Sequence, residues 1–265
     1  MDVSRSGATG GAHGSAAARL AGLLAGARRI AVLTGAGMST ESGVPDFRSA
    51  AGLYATRVSE EIFDIEAFRR APEGFYAFAR TFFAEVRSAQ PNPGHRALAE
   101  LQGLPGKEVT VATQNIDTLH QQAGTAGVLP VHGTLETSTC LRCGHRVSTE
   151  SLWPAVAAGG VPRHDCGGVY KPDIVFFGEM LPEDVLERAR RAFERADLAV
   201  VLGTSLAVYP AAMLPELRRP GVPLAIVNRG ATGLDDRSTL VCHEAIGEVL
   251  PAAVAAAGGV LRSDA

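Results

Sequence analysis

A chain of 265 residues, 46% hydrophobic and 20% charged, is long enough to bury a large core and polar enough to be globular. Its net charge of −3 gives no broad basic field for a phosphate backbone, so no nucleic-acid partner is expected. No apolar run reaches the roughly 18 residues that span a bilayer, because Gly, Pro or Arg breaks the longest candidates, and no membrane partner is expected either.

Residues 1–15 are rich in Gly, Ser and Ala, lack the order of a secretory signal, and read as a disordered tail. Ala16 to Arg28 places Ala and Leu at helical spacing and closes on arginines, which suit a helix C-terminus. Ile30–Leu33 is then a short unbroken apolar run. Similar runs recur at Val109–Ala112, Val128–Val131, Ile174–Phe177, Leu198–Leu202 and Leu224–Val227, mostly separated by helical segments. Unbroken apolar runs of this length suit parallel strands covered on both faces. The alternation predicts an α/β fold, a doubly wound parallel Rossmann-like sheet. Two stretches interrupt the rhythm: residues 45–90, with an aromatic-rich helix around Phe75–Phe83, and residues 134–171, which hold a C-x-x-C pair. Together they predict a smaller inserted helical lobe, whose cysteine pair favours a metal over a disulfide. The Ala/Gly-rich end after Pro251 reads as a closing helix that frays.

Gly35-Ala36-Gly37 directly follows the first strand and precedes Met38-Ser39-Thr40. Glycine there lets backbone amides approach a pyrophosphate at a helix start, although a tight strand-to-helix turn needs the same residues. Position 40 is Thr where a hydride-transfer fingerprint requires glycine, which disfavours dehydrogenases. Polar blocks end several other predicted strands, where an open α/β sheet places its ligand crevice. Asn115 and Asp117 offer an amide and a carboxylate to a carboxamide, or alternatively to their own loop. His132 ends a strand before a glycine, which leaves its ring able to face the crevice as a proton acceptor.

The segment continues as Gly43-Val44-Pro45-Asp46-Phe47-Arg48, and with it the chain resembles the sirtuins. Further matching blocks follow in that family's order: Thr113-Gln114-Asn115-Ile116-Asp117 with Leu119-His120, Val131-His132-Gly133, Val175-Phe176-Phe177-Gly178-Glu179, and Gly203-Thr204-Ser205-Leu206. The resemblance covers about Leu20 to Val254 and implies one catalytic domain over residues 16–260. It implies NAD-dependent removal of acetyl groups from protein lysines, with nicotinamide and O-acetyl-ADP-ribose as products. A protein ADP-ribosyltransferase and a non-catalytic NAD or ADP-ribose sensor are the alternatives.

By the same resemblance, His132 is the general base, relaying through a ribose hydroxyl, and Asn115 is its catalytic partner. The cofactor set is Gly35, Ala36, Gly37, Ser39, Thr40, Asp46, Phe47, Arg48, Gln114, Asn115, Ile116 and Asp117. It continues with Gly203, Thr204 and Ser205 at phosphate, Asn228 at the adenosine ribose, and Ala245 and Ile246 at adenine. Val175, Phe177, Gly178 and Glu179 are expected to line the lysine tunnel, with acetylated proteins or peptides as partners. Tyr76 is followed three residues on by Ala79 and then by Arg80, so the Tyr-x-x-Arg signature of succinyl and malonyl removal is missing. A monomer in a reducing cytoplasm is expected.

The family's structural zinc uses two C-x-x-C pairs. Here Cys140, Cys143 and Cys166 match, but Arg163 stands at the fourth position, and an arginine cannot ligate zinc. His164, Asp165 and His145 are the candidate fourth donors, and a site of reduced affinity is expected. Cys242 reads as a buried structural thiol, and Trp153 as local core.

Overall fold

The structure, a computed structural model, describes residues 15–47, 52–56 and 59–263. Apart from Ser15, the segment read as a disordered tail lies outside the described residues. Helix α1 (Ala16–Gly26) leads into β1 (Arg29–Thr34), and α2 (Leu53–Thr56), α3 (Ile65–Arg70), α4 (Pro72–Ser88) and α5 (Pro93–Gln102) follow. Next come β2 (Glu108–Thr113), α6 (Leu119–Gln122), β3 (Leu129–Pro130), β4 (Gly133–Cys140), β5 (Arg146–Ser148), α7 (Thr149–Ala157) and β6 (Tyr170–Ile174). The chain continues through α8 (Glu183–Arg195), β7 (Leu198–Leu202), β8 (Leu224–Val227) and β9 (Leu240–Cys242) to α9 (Ile246–Ser263).

Six strands form a parallel sheet in the order β3-β2-β1-β7-β8-β9. Alternate residues of each strand point to opposite faces. Ile30, Val32, Leu198 and Val200 meet Leu20 and Leu24 of α1, Leu98 and Leu101 of α5, and Leu250 of α9. Ala31, Leu33, Ala199 and Val201 face Ala189 and Phe193 of α8 on the other side. Burial on both faces is why these strands read as unbroken apolar runs.

Three expectations are corrected. The run Ile174–Phe177 is not a strand of this sheet: only Ile174 is in a strand, and that strand, β6, pairs antiparallel with β4. Apolarity here reflects burial in the smaller lobe, where Ile174 and Phe176 join its core. The sixth parallel strand is instead β9, whose three residues are too few to give a pattern. Helix α1 stops at Gly26, so the two arginines do not cap it. Arg28 pairs with Glu108 and Arg29 with Asp197, across the start of the sheet. The closing helix begins at Ile246 and runs straight through Pro251.

The smaller lobe has the two expected sources. Rings on and around α3 and α4 meet largely edge to face, as with Phe63 and Phe75 at 6.1 Å between centroids and Phe68 and Phe176 at 5.4 Å. The second source is richer in strand than the helical expectation, a three-stranded antiparallel sheet in the order β5-β4-β6 with α7 beside it. Trp153 packs against the aromatic cluster, with the Arg87 guanidinium 4.6 Å from its ring, as local core.

Candidate active site

The strand order reverses between β1 and β7, and ligand crevices of open α/β sheets form at such a switch point, outside the carboxyl ends of the strands. A cleft of about 640 Å³ lies there, walled on one side by the sheet and on the other by the smaller lobe. It gathers Gly35, Ala36, Gly37, Thr40, Asp46, Phe47, Gln114, Asn115, Ile116 and His132 from the first half of the chain. From the second half come Val175, Phe177, Gly178, Glu179, Gly203, Thr204, Ser205, Asn228 and Ile246. Ser39, Asp117 and Ala245 are not in its wall. Arg48 lies outside the described residues.

The floor is two interlocked glycine turns. The amide of Gly37 donates to the carbonyl of Gly203 over 2.8 Å, and that of Gly35 to Leu202 over 3.0 Å. Gly203 sits at φ +63°, and a Cβ there would come within 2.3 Å of the Met38 nitrogen. A side chain at either turn would separate them, so backbone alone faces the cleft. The segment after Gly37 forms two short 3₁₀ turns, Ala36–Met38 and Thr40–Ser42, in place of the expected helix start.

Behind this floor sits a buried polar triad. Asn115 Nδ2 donates to Ser39 Oγ over 3.0 Å, and Ser39 Oγ donates to Asp117 Oδ2 over 2.8 Å. The other oxygen of Asp117 accepts the Leu119 amide at 3.0 Å. Burial raises the Asp117 pKa, opposed by the bonds from Leu119 and Ser39. Ser39 and Asp117 therefore act on the cleft through Asn115, which does line it.

His132 Nδ1 lies 3.0 Å from the Gln114 carbonyl. A carbonyl only accepts, so Nδ1 carries the proton and the lone pair falls on Nε2, the arrangement a base requires. The next residue, Gly133, has φ +78°, and a Cβ there would come within 2.0 Å of the Asp173 carbonyl oxygen. The His132 carbonyl in turn accepts the Val175 amide over 2.8 Å, which ties the imidazole to segment 175–179.

That segment is held from beneath. Lys171, 6% exposed, places Nζ 2.8 Å from Glu179 Oε2 and 2.7 Å from the Ile174 carbonyl. Glu179 Oε2 also accepts the Phe176 amide at 2.8 Å. Glu179 reaches the cleft wall, but its carboxylate is committed to this internal bracket. Phe177 is 42% exposed at the rim while Phe176 is buried. Rim residues that sequence reasoning missed are Val208, Tyr209 and Pro210; the apolar run after the Thr204-Ser205 block was their available signal. Glu41 and Arg229 were also missed. Glu41 Oε1 accepts the Gly247 amide in the first turn of α9 at 3.1 Å, a contact between residues distant in sequence.

Apolar side chains dominate the wall on the smaller-lobe side: Phe47, Phe63, Ile116, Val175 and Phe177. Tyr76 is buried and donates its hydroxyl to the Tyr170 carbonyl at 2.5 Å. Arg80 lies against Gly159 beyond α7. Neither residue enters the cleft wall.

The cysteine set has a fourth member. Ligand atoms of Cys140, Cys143, His164 and Cys166 all lie within 4.8 Å of one another. Cys140 and Cys166 sulfurs are 3.6 Å apart, and Cys143 Sγ is 3.4 Å from His164 Nδ1. Tetrahedral zinc with Zn–S near 2.3 Å separates its sulfurs by about 3.8 Å, so the donors fit that ion. His145 is engaged with the Tyr170 hydroxyl at 2.8 Å, and Asp165 is outside the cluster. Cys242 is buried elsewhere, its pKa pushed up to about 11 by burial and by Glu244, to which it donates.

A Rossmann-like sheet with a glycine-floored crevice and an inserted Cys/His lobe defines a dinucleotide-dependent class of enzyme. The Sir2 family model matches residues 35–210. An NAD-dependent protein deacetylase of Thermotoga maritima is 45% identical over 220 residues, covering 82% of this chain and 89% of that protein. A Sir2 structure with a deacetylated p53 peptide and 3'-O-acetyl ADP-ribose superposes with a TM-score of 0.86 at 41% identity, covering 91% of this chain and 98% of that one. A Sir2–p53 peptide–NAD⁺ structure gives 0.80 at 42% identity, covering 88% and 94%. The chain belongs to the Sir2 family, the sirtuins.

Proposed function

We propose that this chain removes acetyl groups from lysine side chains of proteins, with NAD as co-substrate. The observation that carries the reading is His132: its tautomer is set by Gln114, and it stands where the glycine floor meets segment 175–179. Bound NAD would supply the ribose carbon that exchanges nicotinamide for the acetyl oxygen, and one water enters overall, so that the products are nicotinamide, free lysine and O-acetyl-ADP-ribose.

The chain's own residues bind and orient. Amides of residues 35–37 and 203–205 suit a pyrophosphate. Asn115, steadied by Ser39 and Asp117, presents an amide to the nicotinamide carboxamide. Asn228 and Ile246 suit the adenosine end, with Ala245 adjoining. Phe47, with Ile116, excludes water from the reacting carbon, and Arg48 follows it in sequence. An extended acetyl-lysine peptide adds as a strand along residues 175–179, its acetyl end among apolar side chains. His132 Nε2 takes the proton from a ribose hydroxyl, and rate comes from orienting two substrates and from that base. Cys140, Cys143, Cys166 and His164 would hold a structural zinc, which ties the turn between β4 and β5 to the loop before β6. Residues 16–260 act as one catalytic unit, monomeric and cytoplasmic. Among the described residues, no helix is long and apolar enough to cross a membrane.

The test is incubation of the protein with NAD and acetylated, succinylated or unmodified peptides, reading nicotinamide release and peptide mass. Acetyl loss matched by nicotinamide is expected. ADP-ribose appearing on protein would instead establish a transferase, and binding without turnover a sensor.

A further inference from the structure

His95 and His120 are almost completely buried, and their rings meet at 4.8 Å between centroids, yet neither reaches the cleft. Both are wired to it from behind. His120 Nε2 is 2.9 Å from Thr34 Oγ1, whose hydroxyl donates to Thr113 Oγ1 at 2.8 Å. Thr113 Oγ1 also accepts the Asn115 amide at 3.0 Å. On the other arm, His95 Nδ1 accepts the Asn92 amide at 3.4 Å, and Asn92 Oδ1 accepts the His95 amide at 3.2 Å. The Asn92 Nδ2 then donates to the Met38 carbonyl at 2.8 Å and to Ser42 Oγ at 3.1 Å. One arm thus ends on Asn115 and the other on the residue before Ser39, and those two side chains are bonded to each other.

We propose that His95 and His120 are positioning residues, which set the Asn115–Ser39–Asp117 triad for the nicotinamide amide through Asn92 on one side and Thr34 and Thr113 on the other. This rests on the functional reading above.

The proton positions follow from the bonds. His120 Nε2 must donate, because the Thr34 hydroxyl proton is already given to Thr113; its Nδ1 is then bare. His95 Nδ1 must accept, so its proton is on Nε2. Burial lowers the pKa of His95 to about 4, with Arg96 adding to the effect. Burial likewise lowers His120 to about 3, with His95 adding to it. Both rings are therefore neutral near pH 7, each with one donor and one acceptor. His95 Nε2 and His120 Nδ1 are buried without a hydrogen-bond partner among the described residues. An aliphatic side chain would fill the same space without burying such atoms, so space filling alone does not account for a histidine pair.

The wiring makes opposite demands at the two positions. An Asn amide reaches about as far as Nδ1 of histidine, and a Gln amide about as far as Nε2. His95→Asn and His120→Gln therefore keep the working bond, whereas His95→Gln and His120→Asn lose it. The readout is inhibition of deacetylation by free nicotinamide, beside ADP-ribose binding by calorimetry and a melting curve for each variant. The swapped variants should need about tenfold more nicotinamide, the worth of one good hydrogen bond, with ADP-ribose affinity held within about twofold. The matched variants should resemble wild type. The proposal is overturned if all four keep wild-type nicotinamide sensitivity, if nicotinamide and ADP-ribose affinity fall together, or if the matched variants fare no better than the swapped ones. Wild-type protein that releases no nicotinamide from NAD overturns the functional reading instead.

Discussion

His132 and Gln114 are joined by a hydrogen bond of 3.0 Å from the imidazole Nδ1 to the backbone carbonyl. The acceptor belongs to the main chain, so no side-chain change at position 114 removes it, and the lone pair stays on Nε2. His132→Ala is expected to lower kcat by about 10²- to 10⁴-fold, the usual contribution of a positioned base. Its NAD affinity should stay near wild type, because the glycine floor is untouched. Steady-state kinetics with calorimetry for NAD checks both, and unchanged turnover would remove His132 from the mechanism.

The pair Lys171–Glu179 makes a different prediction, about peptide binding. Lys171→Met leaves the Glu179 carboxylate without its cation in a largely enclosed setting, a change expected to cost roughly 3 kcal/mol of stability. Segment 175–179 loses its bracket, so the peptide KM should rise more than the NAD KM. Adding Glu179→Gln to Lys171→Met should recover part of the stability, since it removes the stranded charge. Chemical denaturation of the single and double variants measures the recovery.

Metal analysis is the direct check on the Cys/His cluster. One zinc per chain is expected, and a strong chelator should lower the melting temperature by dissolving the lobe's tie. His164→Ala should lose zinc more readily than wild type, while Arg163→Ala should not. Equal metal retention in His164→Ala and wild type would exclude the histidine as a ligand.

Asp197 carries a pH dependence of known sign. The Arg29 side chain, and then its backbone amide, hold the Asp197 pKa down to about 2 from 3.8. A depressed carboxyl stabilises the fold fully above the unfolded value, near pH 4, and that contribution is lost as pH falls toward 2. Asp197→Asn should lower the urea midpoint at pH 7 and flatten its decline between pH 4 and 2. An identical decline in both proteins would show that the bond between Arg29 and Asp197 does not couple to folding.

Much of this molecule can be read along the chain, and particular residues show why. Ile30–Leu33 and Leu198–Leu202 announce buried parallel strands because covering both faces demands apolar residues at every position. Gly35 and Gly37 announce the crevice because a close backbone approach excludes any side chain, whereas the matching approach of Gly203 to Met38 is seen only in the folded chain. His132 and Asn115 stand out because polar residues at strand ends meet the place where such sheets bind ligands.

Other assignments needed the folded chain. Ile174–Phe177 has the composition of a sheet strand, and only its neighbours in space show that it belongs to the smaller lobe. His164, Asp165 and His145 are equivalent as candidate donors in sequence, and the turn that brings residue 164 to Cys143 decides among them. Glu179 faces Lys171 beneath segment 175–179, Glu41 reaches across to α9, and His95 meets His120, all through contacts that no local pattern encodes. Periodicity and turn chemistry are properties of adjacent residues, whereas the direction a side chain takes and the partner it finds are set by what packs against it.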